Sequence, residues 1–150
     1  MPPRSTAQQA FQEQMIAFVR AFGLHRPYQT PCGQPVSVAE AHALLELARD
    51  TPASQNDLAA RLGLEKSTVS RLVGHLEDRG WIDRRRSELD GRALELSLTS
   101  EGRRIAAQVA AARARKMAKV LGAVPENQRE AVIKALDTLV EAMRESSKEH

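Results

Sequence analysis

Apolar residues recur at helical spacing over most of the chain, and the period shifts to strict alternation in one stretch only. Phe11, Met15, Phe18 and Phe22 mark one face of a helix from Thr6 to Phe22, which Gly23 closes. Ser37 stands where a helix N-cap belongs, ahead of Ala41, Leu44, Leu45 and Leu47 as the inward face of a second helix that ends near Asp50, before Pro52. A short helix follows Ser54, with Asp57 in its first turn, Leu58, Ala59 and Leu62 as its stripe, and Gly63 as its left-handed exit. The next helix covers 65–79 and stops at Gly80; at about 100° per residue, Val69, Leu72, Val73 and Leu76 share one side of it. Then the period changes. Trp81 and Ile82 begin a strand that Asp83 to Arg86 extend, Ser87 to Gly91 turn the chain, and 93–98 alternates with Leu94, Leu96 and Leu98 inward. Thr99 caps a long helix reaching about Gly122, and Pro125 opens a last amphipathic helix carrying Val132, Leu136, Leu139 and Met143.

Two short helices joined by a glycine-containing turn, followed at once by a hairpin, narrow the uses of the middle of the chain. The polar side of the 65–79 helix carries Ser67, Arg71 and Gly74, flanked by Thr68, Ser70 and His75, with Lys66 at its leading end. A major groove admits one helix, and side chains of these lengths reach phosphates and base edges within it. A solvated amphipathic helix accounts for the apolar side equally well, so the helix pair alone leaves both readings open. The hairpin separates them. It carries Arg84, Arg85, Arg86 and Arg92, and an arginine at a hairpin tip suits the narrow, electronegative minor groove. Asp90, two residues before Arg92, has the chemistry to hold that guanidinium through a bidentate pair. The expected fold is mainly α with a small β-hairpin wing.

The run STVSRLVGHLEDRGWIDRRR, then LDGR, then LSLTSEG resembles the multiple-antibiotic-resistance regulator (MarR) family of bacterial winged helix-turn-helix transcription factors. The resemblance rests on the helix at 65–79, on Asp90-Gly91-Arg92, and on Leu98-Thr99-Ser100-Glu101-Gly102. It implies that Arg92 is the wing arginine, that Asp90 orients it and that Arg84 supports the base of the wing. It also implies that Lys66, Ser67, Thr68, Ser70 and Arg71 face the major groove, and we add His75 and Arg86 to the candidate DNA contacts. Family members often carry proline just before the Asp-x-Arg motif; here Glu88 and Leu89 occupy that stretch. The implied architecture is a winged helix-turn-helix over about 37–102, with its wing at 81–98. It is flanked by dimerisation helices over about 6–24 and 103–146. A homodimer places two recognition helices about one DNA turn apart, on a pseudo-palindromic operator. The resemblance further implies a repressor released by a small effector or by oxidation.

Composition sets limits on these readings. A length of 150 residues suits one domain over 1–150, and 3% aromatic content leaves alanine-rich helices to build the interior. The net charge is only +3, so placement tells more than the total: cations gather in the wing and again along Arg103, Arg104, Arg113, Arg115 and Lys116, the latter expected to be a solvated helix face. No apolar run is long enough to span a membrane, and the first residues lack the pattern of a signal peptide, so a cytoplasmic protein is expected. A single cysteine excludes an internal disulfide.

Three readings of Cys32 stay open: a small structural residue of its loop, a redox thiolate with Tyr28 nearby in sequence, or a weak metal ligand with His25, Glu40 and His42. The zinc-sensing branch of the family adds histidines on the long helix after the wing, where this chain has Gln108 and Ala112. No metal is therefore expected, and no cofactor beyond a possible effector, for which Cys32, Tyr28 and His42 are the candidate residues. On its largely apolar helix, His42 is expected to be a hydrogen-bonded core histidine. No phosphate loop, motif-placed carboxylate pair or nucleophile–base spacing points to an enzyme. The reading against which DNA binding stands is a winged-helix module that contacts protein only.

Overall fold

The first helix has the expected bounds: α1 runs Thr6–Phe22, and Gly23 closes it at φ +90°; its N-cap is Ser5, whose Oγ accepts from Gln8 N at 3.1 Å. A computed structural model describes residues 5–27, 29–49, 53–89, 91 and 94–149 of the chain. Tyr28, Asp90 and Arg92 therefore lie outside the described residues. The chain divides into two compact units, Met1–Arg113 and Ala114–His150.

In the first unit α2 (Val38–Arg49) starts with a reciprocal cap. Ser37 Oγ accepts from Glu40 N, and Glu40 Oε1 accepts from Ser37 N, both at 3.1 Å. The helix α3 (Gln55–Leu62) starts at Ser54, whose Oγ accepts from Asp57 N at 3.0 Å, and ends at Gly63 with φ +64°. Then come α4 (Lys66–Asp78), β2 (Ile82–Arg86) and β3 (Leu94–Leu98), preceded in the chain by the two-residue β1 (Ala53–Ser54). The antiparallel sheet has the order β1-β3-β2, so the expected hairpin gains a third strand. Two residues are too few to show alternation, and β1 exists because Ala53 pairs with Leu96 and Ser54 with Glu95.

Leu96 lies between Ala53 and Arg84 in the sheet and is fully buried. It joins Leu44, Leu47, Leu58, Val69, Val73, Leu76 and Ile82 in one core. Burying each such aliphatic side chain contributes roughly 1.5–3 kcal/mol, enough to hold short helices that are marginal alone. Leu94, expected inward, is exposed: it pairs with Arg86 at the outer end of the hairpin, past the strand positions that are buried.

The long helix α5 (Ser100–Ala123) is about 36 Å long at 1.5 Å per residue. Its start explains the Leu-Thr-x-x-Gly run. Thr99 Oγ1 donates to Gly80 O at 2.6 Å and accepts from Gly102 N at 3.0 Å, while Thr99 N donates to Trp81 O. A Cβ on residue 102 would lie 1.9 Å from Trp81 O, so only glycine admits that approach. Farther along, Ala106 joins the main core, and Val109 packs with Val36 and Ala41.

In the second unit Pro125 opens a 3-10 turn (Glu126–Gln128) rather than an α-helix directly, because Gln128 N bonds to Pro125 O at 2.9 Å. Arg129 Nε donates to Val124 O at 3.0 Å across this turn, and α6 runs Arg129–Ser147. Neither α1 nor α6 buries any residue.

Candidate nucleic-acid interface

The candidate surface is built on α4. Val69, Leu72, Val73 and Leu76 seat one side of the helix in the core. The opposite side exposes Lys66, Ser67, Ser70, Arg71 and His75, with Thr68 and Gly74 half-buried at its edges. These are the residues that the helical period assigned to that side. Glu65, the N-cap, makes no side-chain cap bond, so the first-turn amides are not covered by their own cap residue. Free amides at a helix start favour an anion there.

The exit from α4 sets the wing. Gly80 takes φ +75°, a left-handed turn, and Trp81 N bonds back to Leu76 O at 3.0 Å. In the register Ile82↔Leu98, Arg84↔Leu96 and Arg86↔Leu94, the pleat puts Ile82 and Arg84 on the sheet face that meets the helices. Arg84 is accordingly half-buried, and its Nε lies 3.5 Å from Glu77 Oε2 on α4. It ties the base of the wing to α4. Arg86 is exposed farther out, as is Arg85, which stands opposite Glu95. At the turn, Leu89 N donates to Ser87 Oγ at 3.2 Å, and the Leu89 side chain is 98% exposed.

Among the described residues, the side chains considered for a metal form no ligand group. The loop between α1 and α2 is knotted about Thr30, which accepts Gln34 N on Oγ1 at 3.0 Å and has Cys32 Sγ 2.9 Å from that same oxygen. Cys32 is half-buried within this loop. Glu40 is committed to the α2 cap, and among the described residues no group of three His, Cys, Asp or Glu side chains is placed to hold a metal ion. His42 is a correction: it is an exposed residue and not a core histidine. Helical spacing turns it away from Ala41 and Leu44, onto an open cleft of about 490 Å³ lined by Val38, Ala39, Glu46, Arg61, Leu62 and Leu64. The walls of the cleft, and then the charge of Arg113, hold its imidazole below the ordinary histidine value, with Glu46 opposing.

Sequence reasoning missed the residues that hold the reading surface without belonging to it. Glu77 anchors Arg84. Arg79, the C-cap of α4, lies 3.3 Å from Glu40 Oε2 and stacks over the Trp81 ring at 4.8 Å. The Ser37-x-x-Glu40 spacing was a legible sign of the α2 cap. The partnership of Glu40 with Arg79 spans separate elements and leaves no local signature.

Comparison with known proteins agrees with this geometry. Residues 34–93, from the loop before α2 to the wing, match the sequence model described as MarR family. An HTH-type transcriptional regulator of Mycobacterium tuberculosis is 27% identical over 112 residues, spanning 75% of this chain and 78% of that protein. The transcriptional repressor MprA of Escherichia coli is 38% identical over 58 residues, 39% of this chain and 33% of the repressor. Among solved structures, Streptococcus pneumoniae FabT in complex with DNA superposes with a TM-score of 0.75 at 21% identity, covering 91% of this chain and 97% of FabT.

Proposed function

Because the chain belongs to the MarR family of helix-turn-helix transcriptional regulators, we propose that it binds a pseudo-palindromic duplex operator as a homodimer and represses transcription. The observation that carries this reading is the α4 surface. It is a helix seated by four apolar residues, whose outward side offers Lys66, Ser67, Ser70, Arg71 and His75 beside an arginine-bearing wing. In this reading Arg71 and its neighbours contact base edges and phosphates in the major groove, while Arg86 and Arg92 reach toward the minor groove, with Asp90 orienting Arg92. Arg84 acts indirectly, through Glu77. FabT, solved on DNA, and MprA, named a repressor, support the mode and the sign of regulation.

Release by a small effector or by oxidation completes the reading. Loss of binding on mild peroxide treatment, absent in Cys32→Ser, identifies oxidation; retention of binding by the oxidised protein rules oxidation of Cys32 out.

The mechanism is tested by gel-shift titration on a duplex selected by the protein from a random-sequence pool. Arg92→Ala weakens binding strongly, and Arg71→Ala weakens it by about tenfold or more and alters sequence preference. Affinity falls steeply with salt, because each neutralised phosphate releases counterions. Unchanged affinity in both variants sinks this assignment of contacts.

A further inference from the structure

The contact that links α2 to the exit of α4 is not explained by packing alone. Glu40 is a buried carboxylate, with 11% of its side chain exposed. Its Oε1 serves the α2 cap; its Oε2 faces Arg79 Nη1 at 3.3 Å and accepts no hydrogen bond among the described residues. Arg79, itself 43% exposed, is therefore the counter-charge of a carboxylate that water barely reaches; in the Arg84–Glu77 pair the carboxylate is the exposed member. The same guanidinium lies over the Trp81 ring. Trp81 in turn hands its carbonyl to Thr99 N and presses against Gly102 at the start of α5. One line of contacts thus runs from the N-terminus of α2, through the C-cap of α4, to the N-terminus of α5.

We propose that Glu40, Arg79 and Trp81 form a lock that fixes the direction of the recognition helix at its exit, and that this lock sets sequence discrimination more than DNA affinity as such. The proposal rests on the DNA-binding reading above. Its physical basis is the different tolerance of the two kinds of contact. Phosphate contacts by long cations survive small shifts of a helix, whereas base-edge hydrogen bonds require placement within about 0.5 Å. Without the lock, Val69, Leu72, Val73 and Leu76 still bury the middle of α4, so the helix persists. What it loses is the ionic and stacking restraint at the end nearest the wing. Glu40, Arg79 and Trp81 are positioning residues in this scheme.

The chain has one tryptophan, so Trp81 emission and its quenching by acrylamide report the lock without DNA. Glu40→Gln keeps the oxygen that receives Ser37 N–H but removes the charge and the acceptor that face Arg79; Arg79→Gln removes the cation over the Trp81 ring. Each variant is titrated against a duplex selected by the wild type from a random pool and against a mixed-sequence duplex, at a temperature where circular dichroism shows it folded. The expected result is a loss of about tenfold on the selected duplex and less than about threefold on the mixed one, with the double variant no worse than either single. Trp81 becomes more quenchable in Arg79→Gln. Arg79→Lys, which keeps the charge but not the planar guanidinium over the Trp81 ring, gives an intermediate ratio and replaces Arg79→Gln should that variant not fold. An unchanged ratio of selected to mixed affinity in folded variants overturns the lock and leaves the regulator reading intact, as do losses that multiply in the double variant. Wild-type protein that binds neither duplex removes both.

Discussion

Gly102 shows how much a single residue decides at the junction of the reading head and the long helix. Its missing side chain leaves room for Trp81 O, while Thr99 satisfies both the first turn of α5 and the carbonyl of Gly80. Gly102→Ala places a methyl group against backbone that cannot move without moving β2. We expect a loss of roughly 1–3 kcal/mol, read as a lower urea midpoint at unchanged slope. An unaltered midpoint would show that α5 yields freely. His42 supplies the pH dependence at this scale. Its folded pKa is depressed by the cleft and by Arg113, so the neutral ring is favoured in the folded chain. That contribution is fully present above about pH 6.5 and is lost as pH falls through the lowered folded value. Thermal melting of His42→Asn should therefore decline less on acidification than wild type, and parallel declines would dismiss the site as a source of acid sensitivity.

At the scale of elements, α4 and the strands at the base of the wing share one core, and Arg84 joins them through Glu77. Leu96 is the middle of that arrangement, paired with β1 on one side and β2 on the other while sealing the core beneath α4. Leu96→Ala should cost about 2–5 kcal/mol and reduce the folded fraction at moderate temperature, measured by denaturant titration. A cost below about 0.5 kcal/mol, the level of an ordinary surface change, would mean that the sheet does not support α4 as described. The helices and the hairpin were legible from period and caps: Ser54, Gly23 and Gly63 act where their chemistry predicts. The third strand was not legible, since β1 is made by pairing and not by its own alternation. Leu94 misled for a related reason: alternation assigns a face, but only the extent of the neighbouring helices decides how far that face is covered.

At the scale of the whole molecule, the outstanding feature is apolar surface on the terminal helices. Phe11 and Phe18 on α1 are about half exposed, and Val132, Ile133, Leu136, Val140 and Met143 on α6 are 37–57% exposed. On α6 the positions 132, 136, 140 and 143 follow the helical repeat, while Arg144–Glu141 and Lys148–Glu145 pairs occupy the exposed polar side. A stripe of this kind is better satisfied by a second copy of the chain than by water, in keeping with the homodimer proposed above. Leu136→Glu combined with Val140→Glu should shift the protein toward monomer in analytical ultracentrifugation and lower operator affinity together. A dimer that persists in this variant would place the interface elsewhere.

Sequence alone determined the local elements, the outward residues of α4 and the resemblance that names the family, because helical period, caps and turn residues are written within a few positions of one another. Tertiary structure decided what those elements lean on. It gave Arg84, expected at the base of the wing, its partner in Glu77, took His42 out of the core, and set Glu40 against Arg79 across 38 intervening positions in the chain. Such contacts are chosen by packing between distant segments, where the burial of a charge compels it to find its partner, and no window along the sequence contains both.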